Sequence, residues 1–178
     1  MFVNFIAFVW GLAEATLFFI VPDVALSIIA LKGVDIGLVA CLYALAGALT
    51  GGMIMFYWGQ ADNAKVTRVL ARIPAIRLKD IEKVRSDLNK SRLFAVLLGP
   101  ILGIPYKIYA AYAHLITSIY YFLLISIPAR IVRFVLLTFL TPYMISKFAP
   151  DAPYKSQVQL VLILWTIFYS IYFILKRK

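Results

Sequence analysis

Five ionisable residues stand inside or beside long apolar stretches: Glu14, Asp23, Lys107, Arg130 and Arg133. Charges at membrane depth are costly and usually tied to function. Arg130 and Arg133 are three positions apart, which puts two guanidinium forks on one helix face, an arrangement that fits a phosphate. Neither arginine ends an apolar run, which argues against snorkelling, while a structural ion pair with Glu14 stays open as their other role. Lys107 follows Gly103 and Pro105, where broken helix ends would present backbone N–H groups beside a cation; snorkelling to the cytoplasmic edge is its plainer alternative. Three positive charges against two negative leave one positive charge for an anionic group. Glu14, a carboxylate among apolar residues, reads either as a proton carrier or as half of a fixed ion pair. Asp23, directly after Pro22, reads either as charge balance for the site or as the cap of a short helix.

Other chemistries find little support. His114 is the only histidine and reads as a packing or interface residue; a metal centre lacks ligands, and no serine or cysteine nucleophile is set up beside it. Phosphate-cradling GxxxxGK[ST] and dinucleotide-binding GxGxxG patterns are missing. Tyr106, Tyr109 and Tyr112 recur every third residue, for which packing is the default reading. Cys41 stands alone in an apolar run and reads as a small core residue. The expectation is a protein that is not an enzyme and that needs no cofactor or metal.

The elements that must position these residues are set by composition. The chain has 178 residues, 63% of them hydrophobic and 15% charged, against about 25% charged in soluble domains. Ile36 to Ala61 and Ser156 to Leu175 contain no Asp, Glu, Lys, Arg or His, and Ile108 to Ala129 contains only His114. Each is long enough to cross a hydrocarbon core, which takes about 20 residues of helix. None alternates in polarity as the strands of a membrane barrel would. An all-α integral membrane protein follows.

Pro22 and Asp23 split the first apolar stretch, Phe2 to Leu31, and predict a break near Val21 with a short helix over Val24 to Leu31. Ile36 to Ala61 is the cleanest span, and Ala44, Gly47, Ala48 and Gly51 set small residues on one face for close helix packing. Val66, Val69, Leu70 and Ile73 then form an apolar stripe opposite Lys65, Arg68 and Arg72. Leu78, Ile81, Val84 and Leu88 repeat the pattern among Lys79, Lys83, Arg85 and Lys90. Two short helices lying on an anionic membrane surface are expected there. Gly99, Pro100, Gly103, Pro105 and Lys107 interrupt Leu93 to Ala113; Ile116 to Leu140 then spans, a polar loop carries Pro142, Pro150, Asp151 and Pro153, and Val158 to Leu175 spans last.

Charge sets the orientation. Nine basic and four acidic residues fall between Asp62 and Arg92, and Lys176, Arg177 and Lys178 close the chain. Both segments should be cytoplasmic under the positive-inside rule. That placement also answers the net charge of +10 without nucleic acid. An even number of crossings must separate two segments on one side, so Leu93 to Ala113 is expected to enter and return, with the hairpin around Pro22 dipping in from the opposite face. Each unit is a broken hairpin followed by a span. The layout is an inverted repeat: residues 1–61 the first copy, 62–92 an amphipathic linker, 93–140 the second copy, 141–178 a loop and final span, all one membrane domain. No basic segment precedes the first apolar stretch, so a retained N-terminus is expected.

The order of these pieces resembles the DedA family of VTT-domain (SNARE-associated) membrane proteins over roughly residues 8 to 145. That family shows an acid ahead of a Pro-containing turn with a second acid, here Glu14 and Pro22-Asp23. Then comes a stretch like G-A-x-x-G-D-x-x-x-Y-x-x-G-R, here G-A-L-T-G-G-M-I-M-F-Y-W-G-Q from Gly47, in which Gly52, Phe56 and Gln60 replace the acid, tyrosine and arginine. A final F-x-P-x-x-R has its counterpart in G-I-P-Y-K, with Lys107 one residue closer to the proline. The resemblance implies two facing re-entrant hairpins and translocation of a phospholipid or polyprenyl phosphate between leaflets. On that reading Arg130, Arg133 and Lys107 bind substrate and Glu14 and Asp23 balance charge or couple protons. Gly47 and Gly51 pack helices, and Lys65, Arg68 and Arg72 meet the membrane surface. The expected partners are lipids with anionic head groups, and the expected place is the bacterial cytoplasmic membrane with the C-terminus cytoplasmic; a homo-oligomer stays open. The rival readings are a proton-coupled transporter of a small soluble solute and a membrane assembly factor without transport.

Overall fold

The computed structural model describes residues 2–18, 22–74, 76–91, 93–99 and 103–176. Among them all regular structure is helical: α1 (Phe2–Ala15), α2 (Pro22–Ala30), α3 (Val34–Ala61), α4 (Asn63–Leu70), α5 (Leu78–Ser91), α6 (Leu93–Leu98), α7 (Tyr106–Tyr112), a 3-10 turn (Ala113–Leu115), α8 (Ile119–Phe148) and α9 (Tyr154–Lys176). Three helices, in α3, α8 and α9, are long and apolar enough to cross a membrane. At 1.5 Å per residue α1 is only about 21 Å long and α2 about 13 Å, short of the ~30 Å hydrocarbon core.

The first helix ends at Ala15, earlier than Pro22 alone predicts. Thr16 Oγ1 bonds the carbonyls of Leu12 and Ala13 and closes the last turn. The break expected near Val21 lies outside the described residues, as do Pro100, Arg92, Arg177 and Lys178. Helix α2 opens on Pro22, whose missing N–H costs nothing in a first turn. Along α3, Gly11 meets Ala44, and Gly51 meets Leu12 and Ala15. The register rises together, so α1 and α3 run in the same direction. Ala30, at the end of α2, lies back against Gly37 near the start of α3. Gly33, at φ 148° in a region that favours glycine, makes the connection.

The linker helices differ from expectation in what covers their apolar faces. Val66, Leu70, Ile81, Val84 and Leu88 are buried in one core with Ile108, Tyr109 and Tyr112 of α7, so protein occupies the faces expected to enter lipid. Leu78, expected on the same stripe, is exposed. Asp62 ends α3 and caps α4 through the Lys65 N–H, and the Thr67 and Tyr112 hydroxyls share a hydrogen bond. Gly59 of α3 lets the Ala111 backbone approach closely. The C-terminal end of α7 therefore sits at the C-terminal end of α3.

The chain from Leu93 to Ala113 is interrupted as its Gly and Pro content predicts, with Gly103 turning at φ 77°. Helix α8 starts at Ile119 and runs through both Pro128 and Pro142 to Phe148, so the expected loop shrinks to residues 149–153. Pro142 leaves one carbonyl without its helical donor, yet Thr141 bonds Ser27 and Ile145 is buried, which ties this last stretch to its neighbours. Helix α9 begins at Tyr154, where Lys32 of the α2–α3 turn stands 5.9 Å from the ring. Most of its apolar surface faces outward.

Candidate functional site

Helix α8 is about 45 Å long, and Arg130 and Arg133 stand at its middle. Arg130 Nη2 donates to Glu14 Oε2 at 2.7 Å, and Arg133 donates to Asp23 Oδ2. Both carboxylates come from the first broken unit and both arginines from α8. The two pairs differ in access: the Arg130 side chain is 6% exposed and that of Arg133 46%. Asp23 pairs with Arg133 from the first turn of α2.

Lys107, in the buried helix α7, donates from Nζ to the carbonyl of Phe18 at 2.5 Å. It is close enough to Glu14 and Arg130 to interact with both electrostatically, and Asp23 likewise interacts with Glu14 and Arg130. The five charges thus form one cluster, in which Lys107 has no carboxylate within ion-pair distance among the described residues. Asp23 Oδ1 and Arg130 Nε are buried without a hydrogen-bond partner among the described residues. Orphaned polar atoms are rare inside folded proteins, so the cluster has bonding capacity to spare.

Tyr106, read from sequence as packing, belongs to this site. The Arg130 guanidinium lies 3.9 Å from its ring centroid, and its hydroxyl donates to Ser126 Oγ at 3.0 Å, which in turn donates to the Phe122 carbonyl at 2.8 Å. A Cβ at Gly52 would collide with the Tyr106 hydroxyl, so this glycine is what admits the tyrosine. Ser27, Thr141 and Trp165 form a second polar group, Trp165 Nε1 and Thr141 Oγ1 both donating to Ser27 Oγ at 3.2 Å. The sequence signal for these residues is spacing: Ser126 precedes Arg130 by four, Ser27 follows Asp23 by four, and Thr141 follows Arg133 by eight, each on the charged residue's own helix face.

The remaining candidates lie elsewhere. Gly47 faces the Phe8 carbonyl and Gly51 faces Leu12 and Ala15, both in the α1–α3 contact. Lys65 and Arg68 are exposed on α4 and Arg72 in the turn after it, and none of the three takes part in the ion pairs of the charge cluster. His114 Nδ1 is 2.9 Å from the Ala111 carbonyl and its ring meets Phe56 edge-on. Among the described residues no three His, Cys, Asp or Glu side chains group to hold a metal ion. Compared with protein-family models, curated proteins and solved structures, the chain matches none.

Proposed function

We propose that the protein moves a phosphate-bearing lipid, a phospholipid or polyprenyl phosphate, between the leaflets of a membrane, without enzymatic chemistry. The observation that carries this reading is the largely buried cluster at the middle of α8, with three cations facing two carboxylates and Lys107 held, among the described residues, by a backbone carbonyl alone. An anionic head group offsets the surplus positive charge, and guanidinium forks suit its oxygens. On this reading α1–α2 and α6–α7 are re-entrant hairpins that enter from opposite faces, as in the DedA family that the sequence resembles. Three contacts support that topology: Ala30 against Gly37, Tyr112 against Thr67, and Lys32 beside Tyr154. On this reading the ends of each broken segment lie on one side, and two crossings, α8 and α9, separate the basic linker from Lys176.

The test is lipid movement in proteoliposomes with several head groups. Arg133→Gln should abolish it in correctly inserted protein, and Arg133→Lys should keep part of it, since charge remains but the fork is lost. Arg130→Gln should abolish it too, with insertion checked because Glu14 loses its partner. If Glu14 exchanges protons during transport, Glu14→Gln flattens the pH dependence. One observation favours a purely structural role instead: both arginines already hold carboxylates. Wild-type rates in both arginine-to-glutamine variants would establish that role.

A further inference from the structure

Arg133, Leu137, Leu140, Thr141 and Met144 follow one face of α8, rising about 16 Å from the helix middle toward Phe148. That is about half the ~30 Å thickness of a hydrocarbon core. From Leu137 onward this face walls a slot of about 260 Å³ between α2, α8 and α9, closed on the far side by Val161, Leu164, Trp165 and Phe168. The polar atoms in its wall satisfy one another, because Trp165 and Thr141 both donate to Ser27. A water-soluble solute would find almost nothing to bond there, whereas a hydrocarbon chain fits it. One helical turn before Leu137, outside the slot's own lining, the chemistry changes. Arg133 gives one nitrogen to Asp23 and keeps 46% of its side chain exposed, and among the described residues no other hydrogen bond engages its guanidinium. Arg130, one turn away, is enclosed by Glu14 and Tyr106.

From this adjacency of a half-exposed cation to an apolar slot we infer that Arg133 receives the phosphate of an anionic lipid while one chain of that lipid lies in the slot between α8 and α9. The inference rests on the lipid reading above and adds the place of binding. It separates the two arginines: Arg133 contacts the head group, and Arg130 holds α1, α7 and α8 together.

Trp165 lines the slot and reports on it. In protein carrying Trp10→Phe and Trp58→Phe, Trp165 is the remaining tryptophan, and bromine on a lipid chain quenches it on contact. In phosphatidylcholine vesicles holding a minor fraction of chain-brominated lipid, brominated phosphatidic acid should quench several-fold more than brominated phosphatidylcholine. Arg133→Gln should remove that difference, Arg133→Lys should keep part of it, and Leu140→Phe, which narrows the slot, should weaken quenching by both lipids. Equal quenching by the two lipids would mean bulk contact only and would overturn the inference. So would a Trp165 shielded from both lipids in a protein that runs as a dimer, because a second copy would then fill the slot. The leaflet assay on the same protein separates the two claims. Selective quenching without transport retains the site and removes the translocase, and transport without selective quenching does the reverse.

Discussion

Arg130 and Glu14, 116 positions apart in the chain, meet through a 2.7 Å ion pair that is almost closed to solvent. The pair fastens the first broken segment to the middle of the longest helix, and the Tyr106 ring beneath the guanidinium adds α7 to the same junction. Three elements remote in sequence therefore share one charged node. Its energetics are those of a buried pair, in which the loss of one partner hurts more than the loss of both.

The first prediction follows from that asymmetry. Arg130→Met leaves the Glu14 carboxylate buried and uncompensated and should cost about 3–5 kcal/mol. Adding Glu14→Leu should recover much of the loss. Melting temperatures of the two single variants and the double variant in detergent check this, and additive losses would show that the pair contributes little coupling.

Close backbone approach between α1 and α3 gives the second. A Cβ on Gly47 would strike the Phe8 carbonyl, which is backbone and cannot swing aside, so Gly47→Ala should destabilise by about 1–3 kcal/mol or more. No described residue comes within 4 Å of a Cβ at Gly103, and there the penalty is conformational: at φ 77° an alanine should cost on the order of 1 kcal/mol. Thermal unfolding of Gly47→Ala and Gly103→Ala should rank them in that order.

Local signals made the helical class, the apolar length of α3 and the interruption at Gly103 legible in the sequence. Each rests on residues close together in the chain. The pairing of Glu14 with Arg130 was one of two open readings, because its partners are brought together only by tertiary packing. What covers the apolar faces of α4 and α5 is not legible locally, since an amphipathic stripe such as Val66, Leu70 and Ile73 looks the same whether lipid or α7 covers it. Pro142 marks a loop by its own chemistry, and the packing of Thr141 and Ile145 overrides it.

The two faces of α4 and α5 should separate in experiment. Leu88 is 1% exposed within the α7 core, and Leu88→Ala should cost about 2–5 kcal/mol. Lys65, Arg68 and Arg72 are exposed, and replacing all three with Gln should leave the melting temperature unchanged. It should weaken binding to anionic vesicles by about 1 kcal/mol per charge, an effect that salt reduces in the parent protein. Equal binding of parent and triple variant to anionic vesicles would remove these residues from the membrane surface.

Topology carries the last prediction. Arg85 stands 5.7 Å from the Tyr112 ring, and Thr67 shares a hydrogen bond with the Tyr112 hydroxyl, so the exit of α7 lies beside the linker helices from which the broken segment departs. On the proposed topology this segment leaves and returns at one end of the protein and crosses no membrane. Lys90, before the break, and Ser118, after it, are both exposed. In a Cys41→Ala background, single cysteines introduced as Lys90→Cys and Ser118→Cys should both react with an impermeant maleimide from the same side of sealed vesicles. Removing Cys41 costs little beyond its contact with Thr138, because alanine fills most of the same buried space. Labelling of the two sites from opposite sides would turn the broken segment into a full crossing, and the inverted repeat would fall with it.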